Sequence, residues 1–158
     1  MNFIAMTQKG INKKENEDRI VVGKSVLSGG TLSGEMESGL LAIADGVGGN
    51  NGGAVASHFI ANKICTLPDI TVDALRKINE ELLALSMERP EYNGMATTLS
   101  GMLFAHGNIC LFSVGNTRVY FLQGGKYLKQ VTTDDTTWNY LCETLKLSAE
   151  EAAGFDRK

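Results

Sequence analysis

The sequence predicts an α+β domain in which helices lie on an antiparallel sheet. Three observations carry this: an apolar strand pattern that ends at an acid and a glycine cluster, two consecutive amphipathic helix patterns, and then a run of strand-period segments joined by glycine turns.

Residues 19 to 26 (RIVVGKSV) and 39 to 45 (GLLAIAD) read as strands, the second a short apolar run closed by Asp45 and glycines. Between them, residues 27 to 38 (LSGGTLSGEMES) read as a solvent-exposed hairpin loop. Val55, Phe59, Ile60 and Ile64 form the apolar stripe of a first helix; Leu75, Ile78, Leu82 and Leu85 form that of a second, behind a Thr71 cap. Both stripes are expected to cover a sheet. From Ala96 the period becomes that of strands: ATTLSGMLFA, a Gly107-Asn108 turn, ICLFSV, VYFLQ, a Gly124-Gly125 turn and KYLKQV, an antiparallel meander. Leu141 and Leu145 mark a further helix, and Ser148 with Glu151 forms a capping-box pattern for a short last one. Met87, Met95, Met102, Phe104, Phe112, Tyr120 and Phe121 fall at helix or strand spacing and read as core, with Trp138 anchoring a helix to the sheet.

At 158 residues the chain fits one domain, and its 43% hydrophobic and 21% charged content is that of a globular protein, not a disordered or collagen-like one. A net charge of −3 with no basic cluster beyond Lys13 and Lys14 argues against nucleic acid as a partner. The charge-free stretch from Met95 to Thr117 is rich in Ser, Thr and Gly and is broken by His106, Gly107 and Asn108, unlike a membrane span. The amino terminus lacks signal-peptide features, and Cys65, Cys110 and Cys142 never form a C-x-x-C pair. The expectation is a cytoplasmic protein whose cysteines are reduced packing residues, neither disulfides nor thiolate zinc ligands. No repeat, low-complexity tract or linker divides the chain.

Three acids stand out: Glu17 and Asp18 in NED, and Asp45 in ADGVGG. Carboxylates are the hard oxygen ligands that Mg²⁺ or Mn²⁺ prefers, and an aspartate followed by Gly46 can offer a side-chain carboxylate and a main-chain carbonyl to one ion. Alone, Asp45-Gly46 is an ordinary turn and Glu17-Asp18 an ordinary solvated acidic turn; their combination is what points to a site. His58 and His106 lack an acid partner at suitable spacing and read as non-ligands. The glycine-rich loop from Gly46 to Gly53 is also weighed as a phosphate cradle for a nucleotide. It fails in detail, because G-x-G-x-x-G would need glycine at Asn51 and no Gly-Lys-Ser/Thr follows.

Taken in order, four segments resemble the type 2C (PPM) metal-dependent protein serine/threonine phosphatases. They are GINKKENEDR, LLAIADGVGGNNGGAVAS, GMATTLSGMLFAHGNICLFSVGNTRVYFL and LKQVTTDDTTW. The resemblance implies an antiparallel β-sandwich flanked by helices, an α-β-β-α arrangement whose carboxy-terminal strands are missing here. Residues 1–158 would then be a single, incomplete phosphatase-like catalytic domain. It also implies a site for two Mg²⁺ or Mn²⁺ ions, with Asp45 bridging them, the Gly46 carbonyl binding one, and Glu17 and Asp18 binding directly or through water. The implied activity is hydrolysis of phosphoserine and phosphothreonine in proteins by a water that two metal ions activate. The implied partners are a phosphoprotein substrate and a Ser/Thr kinase acting on the same protein.

Several positions depart from the family pattern. The phosphate-binding arginine falls at Lys13, which keeps the charge and loses the planar grip. A histidine found in many relatives is replaced by Asn50, which hydrogen-bonds but does not transfer a proton at neutral pH. The acid associated with a third metal position falls at Asn116, a poorer cation ligand. Asp134 and Asp135 read as a helix cap before Thr136, and Asp156 as a solvated end lacking the strand context of the family's later aspartates. The alternative expectation is therefore a truncated or degenerate module that binds a phosphoprotein or a regulatory partner without turnover. An exposed sheet edge would in addition invite a second copy to pair.

Overall fold

The structure is a computed structural model that describes residues 1–47, 52–105, 107–146 and 151. In chain order its elements are β1 (Asn2–Thr7), β2 (Asp18–Val22), β3 (Ser25–Leu27), β4 (Gly30–Glu35), β5 (Gly39–Val47), α1 (Gly52–Ile64), α2 (Val72–Glu88), β6 (Ala96–Thr97), β7 (Leu99–Ala105), β8 (Asn108–Val114), β9 (Tyr120–Gln123), β10 (Tyr127–Gln130) and α3 (Thr137–Leu145). A six-stranded antiparallel sheet runs β3-β2-β5-β7-β8, with β6 paired to the end of β5. Two further antiparallel pairs, β1–β4 and β9–β10, stand apart from it.

The centre of the sheet is β5, and its alternation explains the layering. Leu40, Ala42, Ala44 and Gly46 are buried, while Ile43, Asp45 and Val47 on the opposite face are exposed. The buried face packs against α1, whose inward residues are almost all small: Gly52, Gly53, Ala54, Ala56, Ser57 and Ala61. Small residues on both surfaces let the helix axis approach the sheet closely, and Ile60 and Ile64 then fill the space toward α2, where Ile78 and Leu82 close the core. A smaller cluster on the other face joins Ala5 of β1 to Ile20 and Val22 of β2. An apolar cleft of about 390 Å³ remains beside it, bounded by β1, the β5–β7 surface and the start of β9.

The α+β class, both long helices and the Thr71 cap are as the sequence indicates; Thr71 Oγ1 accepts from Ala74 N at 3.2 Å. Several details differ. Residues 19 to 26 are two strands and not one, because Gly23 adopts a φ of +59° and turns the chain back on itself. Residues 27 to 38 do not form a loop throughout, since Gly30–Glu35 is β4 and pairs with β1, a strand absent from the expectation. The meander also breaks after β8, so that β9 and β10 pair only with each other. Met95 and Phe104 are buried, but Met87, Tyr120, Phe121 and Cys110 are exposed and are not core. Trp138 is half-buried on a helix that buries no residue. His106 and Ser148 lie outside the described residues. No helix among the described residues is long and apolar enough to cross a membrane.

Candidate metal centre

The antiparallel register of β2 and β5 places Asp18 directly opposite Asp45. Directly opposed residues share a face of the sheet, and like charges so placed repel. Burial, and after it the Asp45 and Glu17 carboxylates, holds the Asp18 carboxyl above its ordinary value, with Arg19 opposing the shift weakly. Two acids are therefore kept together at a cost that a bound cation would relieve.

The backbone beneath them is fixed from several sides. Gly46 N donates to Glu17 O at 3.1 Å. Asp45 N donates to Thr98 Oγ1 at 3.2 Å, while Asp45 O accepts from Thr98 N at 2.9 Å and from Thr97 Oγ1 at 3.0 Å. The Thr98 hydroxyl in turn bonds that of Thr117 at 2.6 Å. On the β2 side, Asn16 Oδ1 accepts from Asp18 N, and its amide donates to Thr7 Oγ1 and Ser28 O. Buried Arg19 donates through Nη1 to the carbonyls of Asn16 and Asp18. Gly46 is required sterically: a Cβ there would lie 2.0 Å from the Gly53 carbonyl oxygen, where α1 meets the strand. Sequence reading missed this support. The adjacent Thr97-Thr98 pair was its one visible signal, and hydroxyls in a strand are ambiguous until the partner strand is known.

Lys13, Asn16, Glu17, Asp18, Asp45 and Gly46 line one polar cleft of about 510 Å³. Lys13 Nζ lies 2.5 Å from Glu17 Oε2, and that bond and charge raise the Lys13 pKa above its ordinary value. The sequence candidates are thus gathered in one place, with Asn50 outside the described residues. Among the described residues no three acid, histidine or cysteine groups close tightly enough to hold a single ion. Asp18 and Asp45 face each other, whereas the Glu17 carboxylate is engaged by Lys13. The donor set is oxygen throughout, which suits Mg²⁺ or Mn²⁺ and not a thiolate- or imidazole-seeking metal.

Asp134 and Asp135 lie elsewhere and are structural, and Asp156 is outside the described residues. Asp134 does not cap α3; Thr136 does, accepting from Asn139 N at 3.1 Å. The Asp134 carboxylate instead takes both Nε and Nη2 of Arg118 and the Gln130 amide. Asp135 accepts from Gly115 N at 2.9 Å. Exposed His58 lines a separate cleft against α1 with Phe59 and Lys63.

No protein-family model matches the chain. Individual proteins do. It is 30% identical over 161 residues to the serine/threonine protein phosphatase PstP of Mycobacterium tuberculosis, covering 96% of this chain and 28% of that protein. It is 27% identical to the serine/threonine phosphatase stp of Listeria monocytogenes, covering 96% of this chain and 62% of that one. A crystal structure of PstP superposes with a TM-score of 0.70 at 29% identity, covering 99% of this chain and 64% of that one. The PstP catalytic domain crystallised with two manganese ions gives 0.66 at 30% identity, covering 96% and 64%. The chain therefore spans less than two thirds of the length of these relatives. In sequence and fold the chain is similar to the PPM (type 2C) serine/threonine protein phosphatases, over part of their length.

Proposed function

We propose that the chain holds two Mg²⁺ or Mn²⁺ ions in the Asp18–Asp45 cleft and hydrolyses phosphoserine and phosphothreonine in proteins. The observation that carries this reading is the register pairing of two acids, beside Glu17 and Gly46, in one polar cleft of a PPM-like fold. Asp45, Asp18 and Glu17 would hold the ions through carboxylate oxygens, directly or through water, and Gly46 would add its carbonyl. When bound, the cations supply an activated water near neutral pH and neutralise charge on the phosphoryl oxygens.

The chain's own residues do the remaining work. Asp45 is held at its strand end by Thr97 and Thr98, which fixes where its carboxylate can act. Lys13 brings a positive charge to one side of the cleft and draws a phosphate dianion in. An ammonium is a point charge, so its grip is less directional than that of the family's arginine. Asn50 would orient a leaving group or water by hydrogen bonding, without transferring a proton. The partners are a phosphoprotein and the Ser/Thr kinase that modifies it; a second copy could pair along the outer edge of β1, where Ile4 and Met6 are exposed.

Purified chain should hydrolyse a phosphothreonine peptide in Mn²⁺ and lose this activity in Asp45→Asn. The second reading, a binding module without turnover, is favoured by Glu17 being tied to Lys13. Phosphopeptide binding with no released phosphate at any Mn²⁺ concentration would select it.

A further inference from the structure

Lys13 does more than line the cleft: it occupies the third acid. A turn in which Lys13 N donates to Gly10 O at 3.0 Å brings its side chain back over residue 17, and Nζ meets Glu17 Oε2 at 2.5 Å. The carboxylate is the enclosed partner, 19% exposed against 63% for the lysine side chain. Arg19, a buried cation beside them, is turned to main-chain carbonyls and leaves Asp18 and Asp45 to each other. The ammonium is thus the group through which this site neutralises Glu17. A divalent cation that takes the same oxygens must displace it, since the two positive charges repel at such distances.

We propose that Lys13 sets the metal affinity of this site by competing for Glu17, so that a cation which takes Glu17 releases the lysine to an oxyanion in the same cleft. Metal binding and oxyanion binding are then coupled, each strengthening the other by the same factor. The site loads cooperatively with its phosphorylated substrate and holds metal less tightly without it. This inference rests on the metal-site reading above.

Isothermal titration of Mn²⁺ into the chain tests it with no turnover required. Lys13→Met is expected to bind Mn²⁺ about three- to tenfold more tightly than the parent, the range of one exposed ion pair plus local repulsion. Lys13→Arg retains a cation able to reach Glu17 and should stay within about twofold. Lys14→Met removes the same charge from a neighbouring exposed lysine that does not line the cleft, and it too should stay within about twofold. Millimolar sulfate, as the oxyanion probe, should tighten Mn²⁺ binding to the parent and not to Lys13→Met. The proposal is overturned if Lys13→Met binds Mn²⁺ no more tightly than the parent, or if Lys14→Met gains as much. Absence of Mn²⁺ binding in parent and variants alike would instead remove the metal-site reading, and this inference with it.

Discussion

Every buried residue described lies between Ala5 and Phe104, whereas β8, β9, β10 and α3 contribute none. The first region is built on apolar burial: Val21, Ala56, Ala61 and Ile64 are wholly enclosed between β2, β5 and α1. The second is held by polar clamps. Arg118 grips Asp134, Thr117 is bonded through its hydroxyl to Thr98 and through its carbonyl to Ser100, and Gly115 donates to Asp135. Hydrogen bonds and exposed ion pairs each contribute little net free energy, while buried apolar contacts accumulate. The acids of the candidate site thus stand on the rigid region, and the second region is expected to open at lower free energy.

The sharpest break should come where α1 meets β5. In Gly46→Ala the new Cβ would strike the Gly53 carbonyl group, backbone that has no rotamer to yield. A loss of at least about 3 kcal/mol is expected in urea denaturation, together with loss of Mn²⁺ binding. Gly124→Ala, in the β9–β10 turn, meets no atom within 4 Å and carries only its φ of +58°, a cost of about 1 kcal/mol. Core truncation should give the same contrast. Ile64→Ala, at 0% exposure, is expected to cost about 3 kcal/mol, and Leu128→Ala, at 67%, less than about 0.5. Equal losses at the two sites would erase the distinction between the regions.

The rigid region was also the more legible one. Leu40, Ala42 and Ala44 alternate with outward residues, and Ile60, Ile64, Ile78 and Leu82 keep helical spacing, so burial wrote its period into the sequence. Asp45-Gly46 announced itself because a strand that ends in an acid and a glycine is chemically conspicuous. What stayed hidden lacked such a period. In β1 apolar side chains lie on both faces, Phe3 and Ala5 toward the core and Ile4 and Met6 toward solvent, while all six residues of β4 are exposed. Tyr120 and Phe121 fall at strand spacing, which suggests core, yet every residue of β9 is exposed. The role of Asp134 is not legible locally, because a cap before Thr136 accounts for it in sequence while its partner, Arg118, is 16 positions away. Local pattern reveals burial and turns; it does not reveal long-range polar pairing.

The acid pair offers a subtler test, since it places electrostatic cost on the packed scaffold. Asp18 has a raised pKa, so its ionisation weighs against the folded state as pH climbs through and above that raised value. In buffer free of divalent cations, Asp18→Asn should therefore be more stable than the parent at neutral pH, by less than about 1 kcal/mol. The difference should vanish in acid, where the parent carboxyl is protonated in both states. Added Mn²⁺ should reverse the order by stabilising the parent alone. A variant less stable at every pH would mean that the Asp18 carboxylate is a structural anchor.

The smallest expected effect belongs to the polar region and asks whether it is a separate unit. Hydrogen bonding from Arg118 lowers the Asp134 pKa; desolvation opposes it, and the Arg118 charge and the Gln130 amide add to the lowering. A lowered carboxylate pKa contributes stability that is fully present above the ordinary unfolded value and is lost as pH falls through the lowered one. Trp138, the one tryptophan in the chain, lies on α3 beside Asn139, whose amide donates to Asp134 O at 2.8 Å. On acidification, Trp138 fluorescence should change before far-UV circular dichroism does. In Arg118→Met the fluorescence midpoint should move to higher pH while the circular-dichroism midpoint stays in place. If both probes move together, the clamp and the core form one cooperative unit, and the candidate site depends on Asp134 as much as on Ile64.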